Sequence, residues 1–272
     1  MSKPRKLTII FGIIIAAALL AASFLRQQYV VPILMYHSID PAAVAQNRLA
    51  VTAGTFDKQM RFLKSHHYNV ITLEALVGLI KNKKKVPVKT ICISSDDGYR
   101  DNYTYAFPIL KKYNLPATMF IILDEVGRPQ GDRLSWDEIK IMQDSGLITF
   151  GSHCLGPEPL VNFKSEAQIK RQIFDSKKIL EEKLGSKVEF FSYPEGLFDS
   201  RIKQLVIDAG YSGAVATNPG KDYADDDVFL LKRLRISENS SNMLVFAVES
   251  SGFYMFLKEH QKERKKRRHG KE

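Results

Sequence analysis

Hydrophobic and polar positions along the chain alternate between two periods. Tyr29 to Tyr36 is a nearly unbroken apolar run that reads as a short buried strand, with His37 at its end. From Thr55, taken as an N-cap, Phe56, Met60, Phe62 and Leu63 recur near a 3.6-residue spacing, which predicts a helix. A second helix is predicted over Thr72 to Lys81, followed by a strand over Thr90 to Ser94. The same alternation continues with helix Asn102 to Tyr113, strand Ala117 to Ile122, helix Ser135 to Ser145 and strand Ile148 to Gly151. It ends with a long helix Ser165 to Leu184, strand Val188 to Tyr193, helix Ser200 to Ala209 and strand Ala214 to Thr217. Alternating strands and helices imply a parallel sheet. About seven such units in one domain fit a distorted (β/α) barrel better than an open sheet, and in a barrel the chemistry sits at the C-terminal strand ends.

Ahead of these units, Leu7 to Leu25 carries no charge and follows Lys3, Arg5 and Lys6. About 20 apolar residues suffice to cross a bilayer, so the segment is expected to be a single transmembrane helix, or an uncleaved signal, with the following domain outside the cytoplasm. The expected division is a basic cytoplasmic end at 1–6, the anchor at 7–25, one folded domain at 26–257 and a basic tail at 258–272. A 44% apolar composition over 272 residues is enough for one full core. Two cysteines, Cys92 and Cys154, exclude a disulfide framework.

The formal charge of +10 is concentrated at the end, where 258–272 holds eight Lys/Arg against three Glu. On an exported domain such a tail would meet anionic lipids or envelope polymers. The anchor, and the lack of any basic patch interleaved with aromatics, argue against nucleic acid.

Polar motifs end four of the predicted strands. Ser94-Ser95-Asp96-Asp97-Gly98-Tyr99 closes an apolar strand with adjacent carboxylates, which is costly without a cation or a shared proton. An Asp-Gly turn capping the next helix would produce the same local sequence. Gly151-Ser152-His153 ends another strand with an imidazole that could be a metal ligand or a hydrogen-bonded core residue. Phe191 to Gly196 (FSYPEG) and Met35-Tyr36-His37 complete the set.

Taken together, MYH, DDGYRDNY, AFPILKKYNLPATMF, GSH, the Tyr193-Pro194 turn with Gly196, and the Gly210-Tyr211 segment before LKRLRIS make the chain resemble the polysaccharide deacetylase family over about Val31 to Ser237. The resemblance implies a metal-dependent hydrolase removing acetyl groups from an acetylated cell-envelope polysaccharide. By it, Asp96 matches the catalytic base, Asp97 the metal-binding acid and His153 the first metal histidine. His37 matches the general acid of the branch that begins with MYH, and the main chain around Tyr193, Pro194, Glu195 and Gly196 is expected to shape an oxyanion site. Tyr99 is a further candidate for substrate contact. The implied cofactor is a divalent metal, zinc first, with cobalt, nickel or manganese as alternatives.

One departure stands out. The family's second metal histidine, four residues after the first, is replaced by Pro157, which has no donor. Adjacent Glu158 is then either a substitute ligand or a surface acid. If the ligand set is broken, the alternative reading is a catalytically degenerate, membrane-anchored glycan-binding or scaffold protein.

Overall fold

The computed structural model describes residues 3–27, 29–44, 47–129, 131–217, 226–254 and 258. Its strands are β1 (Ile33–Tyr36), β2 (Asn69–Val70), β3 (Thr90–Ser95), β4 (Ala117–Ile121), β5 (Ile148–Ser152), β6 (Phe190–Ser192), β7 (Gly213–Ala216), β8 (Leu231–Lys232) and β9 (Leu234–Arg235). All the pairings between them are parallel, in the order β8-β7-β6-β5-β4-β3-β1-β9, with β2 attached to β3.

β8 and β9 are two halves of one run of chain separated only by Arg233. Its first half pairs with β7 and its second with β1, so Leu231 to Arg235 draws the two edges of the sheet together. The expected distorted (β/α) barrel of about seven strands is therefore seen, with the closing member supplied by a segment too short to register as a periodic strand.

The helices are α1 (Lys3–Gln27), α2 (Ala53–Ser65), α3 (Leu73–Lys81), α4 (Phe107–Tyr113), α5 (Trp136–Asp144), α6 (Glu166–Lys170), α7 (Ser176–Leu184), α8 (Ser200–Asp208) and α9 (Met243–Glu249). Side-chain oxygens explain several of the starts. Thr72 accepts from the Ala75 amide, Asp199 from Ile202, and Ser135 and Glu138 form a reciprocal capping box on α5. The cap of α2 is Thr52 rather than Thr55: the Thr52 hydroxyl accepts from the Thr55 amide, which puts Thr55 inside the first turn. The long helix expected over Ser165 to Leu184 is helical throughout, but a π-helical turn at Arg171–Asp175 separates α6 from α7.

The segment expected to cross a membrane lies within α1, and its Ile10, Phe11, Ile13, Ile14, Leu19, Leu20 and Phe24 are exposed. Among the described residues, no helix is long and apolar enough to cross a membrane. The side chains of 3–9, 21, 22 and 25 lie outside what is described, as does the basic tail beyond residue 258.

Strand alternation sorts the barrel interior into layers. Ile33, Cys92, Phe120, Phe190, Val215 and Leu231 form one apolar cluster, plugged by Leu73, Leu76 and Val77 of α3. Two residues further along β3, β6 and the closing segment, the same face carries Ser94, Ser192 and Arg233, all buried. The next step along β3 brings Asp96. Gly151 is required at this level, since a Cβ there would stand 2.5 Å from the Phe120 ring and 2.8 Å from the Phe190 carbonyl.

Candidate functional site

The period of two that fills the barrel with apolar side chains also delivers its polar groups to the C-terminal strand ends. Asp96 follows β3 directly and is 3% exposed, too deep for an uncompensated charge. Its partner is Arg233, 1% exposed, whose Nη1 and Nη2 donate to Oδ1 and Oδ2 at 2.6 Å each. Nη2 also donates to the Ser192 hydroxyl at 2.9 Å, and that hydroxyl lies 3.2 Å from Asp96 Oδ2. Burial alone would raise the Asp96 pKa, but the guanidinium more than offsets it and holds the carboxyl well below the usual carboxylate range.

Asp97 begins a sharp turn in which it and Gly98 take φ of 70° and 67° in succession. Aspartate tolerates the left-handed region better than most residues do, and at Gly98 a Cβ would stand 2.9 Å from Ile121 Cδ1. The turn sets Asp97 Oδ1 3.4 Å from His153 Nε2. His153 follows β5 and is buried, with its Nδ1 2.8 Å from the Ser192 carbonyl. A carbonyl oxygen only accepts, so Nδ1 carries the hydrogen and Nε2 is the atom presented to Asp97. Burial would lower the His153 pKa, but Asp96 and Asp97 outweigh it and raise it. Burial likewise raises Asp97, and His153 reverses that shift.

His37 follows β1. Its carbonyl accepts from Asn102 Nδ2 at 2.7 Å and from the Ser95 hydroxyl at 3.1 Å, which fixes the backbone, while its buried Nδ1 has no partner among the described residues. Burial lowers its pKa below the ordinary 6.5, only partly countered by Asp96 and Asp97, so the ring is neutral at pH 7. Asp96, Asp97, His153 and His37 are thus brought to one end of the barrel from three strands.

Other expected residues are not part of this cluster. Glu158 is exposed and accepts from Asn162 four residues on. Prolines on both sides, Pro157 and the buried Pro159, hold the turn that points it there. Among the described residues no group of three or more His, Cys, Asp and Glu side chains could hold a metal ion. Asp97 and His153 are two donors, Asp96 is committed to Arg233, and the set does not fit an ion held by three protein ligands.

The turn after β6 makes much of its own hydrogen bonding. Tyr193 is a core residue at 0% exposure, packed edge-on to Phe191 and against Phe198, and Pro194 is buried with it. The amides of Tyr193, Gly196 and Leu197 donate to Val215, Tyr193 and Pro194 carbonyls, so those three are not available as oxyanion donors. Glu195 is exposed, with a φ of 55°. Tyr99 is half-buried with the Arg133 guanidinium 3.7 Å above its ring. Together with Ser38, Asp40, Asp101, Tyr105 and Asp132 it lines an open groove of about 600 Å³.

Sequence reasoning did not single out Arg233. It lies 137 residues after Asp96, inside a run of basic residues that reads as surface. The usable signal was the cost of Asp96 itself, since a buried carboxylate demands a cation from elsewhere in the chain.

A family model described as polysaccharide deacetylase matches residues 83–214. YxkH of Bacillus subtilis (strain 168), which carries a polysaccharide deacetylase name, is 32% identical over 210 residues, covering 77% of this chain and 72% of its own. The poly-β-1,6-N-acetyl-D-glucosamine N-deacetylase of Staphylococcus aureus (strain MRSA252) is 30% identical over 206 residues, 72% of this chain and 71% of the relative. Among solved structures, the Streptococcus pyogenes deacetylase PplD in complex with acetate superposes with a TM-score of 0.71 at 28% identity, over 79% of this chain and 96% of that one. IcaB from Ammonifex degensii gives 0.72 at 23% identity, over 82% and 97%, and speaks for the fold alone.

Proposed function

Since the chain belongs to the polysaccharide deacetylase family, whose members are hydrolases of acetylated polysaccharides, we propose that it removes N-acetyl groups from a cell-envelope polymer of N-acetylglucosamine. The observation that carries this reading is the arrangement of Asp96, fixed by Arg233, with Asp97, His153 and His37 at one mouth of the barrel. A binding scaffold would have no use for so costly a buried carboxylate, nor for a neutral imidazole whose buried Nδ1 has no partner among the described residues.

Asp96, kept ionised and oriented by Arg233, is the carboxylate that receives the proton of an attacking water. His37, whose ring is neutral, takes that proton on and delivers it to the leaving nitrogen as the C–N bond breaks. Acetate and a free amine result. A divalent ion, when bound, would supply Lewis-acid polarisation near Asp97 and His153. Because two protein donors do not make a complete site, no step above depends on it.

The proposal also keeps the domain outside the cytoplasm, with the exposed apolar helix α1 as its membrane attachment and the basic tail facing anionic lipids or polymers. The deciding experiment is acetate release by the full-length protein from β-1,6-linked and β-1,4-linked N-acetylglucosamine tetramers. The reading predicts release from the β-1,6 tetramer and its loss on Asp96→Asn. A folded wild-type protein that releases acetate from neither would overturn it.

A further inference from the structure

The densest run of lysine ahead of the tail has no part in the site at the strand ends. Residues 81–89 (KNKKKVPVK) hold five lysines, and no Asp or Glu occurs between Glu74 and Asp96. This segment leads from α3 into β3 at Thr90, so it lies at the N-terminal strand ends, the opposite end of the barrel from Asp96, His153 and His37. The end of α1 is fastened there. Arg26 Nη2 donates to the Val86 carbonyl, its guanidinium stands 5.1 Å from the Tyr29 ring centroid, and the Tyr29 hydroxyl donates to the Thr90 carbonyl at 2.8 Å.

A cavity of about 460 Å³ opens at this junction, within the roughly 300–1,000 Å³ of small-molecule sites. Much of its lining is apolar, with Ile33, Leu76 and Leu231 buried and Val31 and Ile80 half-buried. Arg26 and the exposed Lys85 line it as well, Lys232 is buried in its wall, and no Asp or Glu is among the lining residues. Cations gathered on a partly apolar cavity favour an anion inside it. Free phosphate would answer the charge and leave the apolar wall wet, whereas an anionic phospholipid answers both. The exposed apolar residues of α1, from Ile10 to Phe24, run to this same junction, and Val88 of the lysine segment is 53% exposed beside Pro87. Apolar surface flanked by lysines is the composition of a surface that sits at lipid headgroups.

We infer that this cavity seats one anionic phospholipid, with its phosphate against Arg26 and Lys85 and the first carbons of its acyl chains on the apolar wall. The floor of the barrel then rests on the membrane, and the mouth that carries Asp96 and His37 faces away from it. The inference rests on the proposed attachment through α1, which brings the lipid to the cavity, and not on deacetylation.

The test counts lipid bound to the full-length protein in dodecyl maltoside micelles by native mass spectrometry, with phosphatidylglycerol as the anionic probe and phosphatidylcholine as the zwitterionic one. Phosphatidylglycerol should saturate at one molecule per chain, and phosphatidylcholine should bind about 25-fold more weakly, the weight of two basic residues at an anionic headgroup. Lys85→Gln should weaken phosphatidylglycerol about fivefold, the weight of one. Ile80→Trp, which fills the cavity and leaves every charge in place, should abolish binding. Glycerol phosphate, which carries the anion without acyl chains, should not displace the lipid at equal concentration. The inference is overturned if the two lipids bind alike, if phosphatidylglycerol does not saturate at one, if glycerol phosphate displaces it, if Lys85→Gln changes nothing, or if folded Ile80→Trp binds as the wild type does. Should Ile80→Trp fail to fold by circular dichroism, the lipid comparison and Lys85→Gln, at an exposed position, still decide. Failure of α1 as the attachment registers separately, as a full-length protein that does not float with phosphatidylcholine vesicles.

Discussion

Replacing Arg233 by methionine keeps most of the side-chain volume and removes the charge. The substitution deletes two 2.6 Å bonds to Asp96 and the 2.9 Å bond to Ser192, and leaves a carboxylate that is 3% exposed without a cation. Removing one partner of a buried pair costs about 3–5 kcal/mol, a large share of the roughly 5–15 kcal/mol that holds a domain together. For a domain of this size that corresponds to a fall in Tm of about 6–20 °C. The sign with pH follows from the cause. Burial is the largest influence on Asp96, and once the guanidinium is gone only His153 and His37 oppose it, so the carboxyl pKa moves upward. In the wild type, the stability from this group is present above the unfolded carboxylate pKa and is lost as pH falls through the depressed folded value. In Arg233→Met that contribution shrinks, so the gap between the two proteins should narrow as pH falls. Urea denaturation at several pH values, with Asp96→Asn and the Asp96→Asn/Arg233→Met double variant completing a cycle, measures the coupling. A loss under about 1 kcal/mol, or a cost of Arg233→Met that is just as large in the Asp96→Asn background, would refute the reasoning.

Because His37 rests neutral with its pKa below 6.5, kcat/KM should rise with pH through a value under 6.5 and then level off. His37→Gln should lose about 10²- to 10⁴-fold in kcat, keep its fold and show no such limb; an alkaline limb in the wild type would argue against the relay. Gly151→Ala forces a methyl against the Phe120 ring and the Phe190 carbonyl, and should cost about 1–3 kcal/mol in denaturant melts, with relief in a Phe120→Leu background. Ser135→Ala removes the capping box of α5 and should cost about 1 kcal/mol without touching kcat; a change in kcat would mean that α5 positions the site.

Local chemistry was legible in the chain itself wherever the physics is local. The start of the second helix at Thr72, the buried runs of β3 and β4, and the acids and histidines that end strands depend on residues within a few positions, and the structure places them where the periodicity does. The π turn between α6 and α7, the two-residue strands β8 and β9, and the core position of Tyr193 have no such signature. A strand two residues long has no period, and an aromatic in a motif reads alike whether it faces a groove or the core. Glu158 makes the same point at the site: an acid beside a missing ligand is chemically suitable, and only the path of the chain between Pro157 and Pro159 sends it to Asn162 instead. The sequence by itself determined which strand ends carry charge and therefore where a counter-charge was needed. Only the closing of the barrel decided that Arg233, 137 residues away, would meet that need, because pairing across a barrel is set by register and burial, not by distance along the chain.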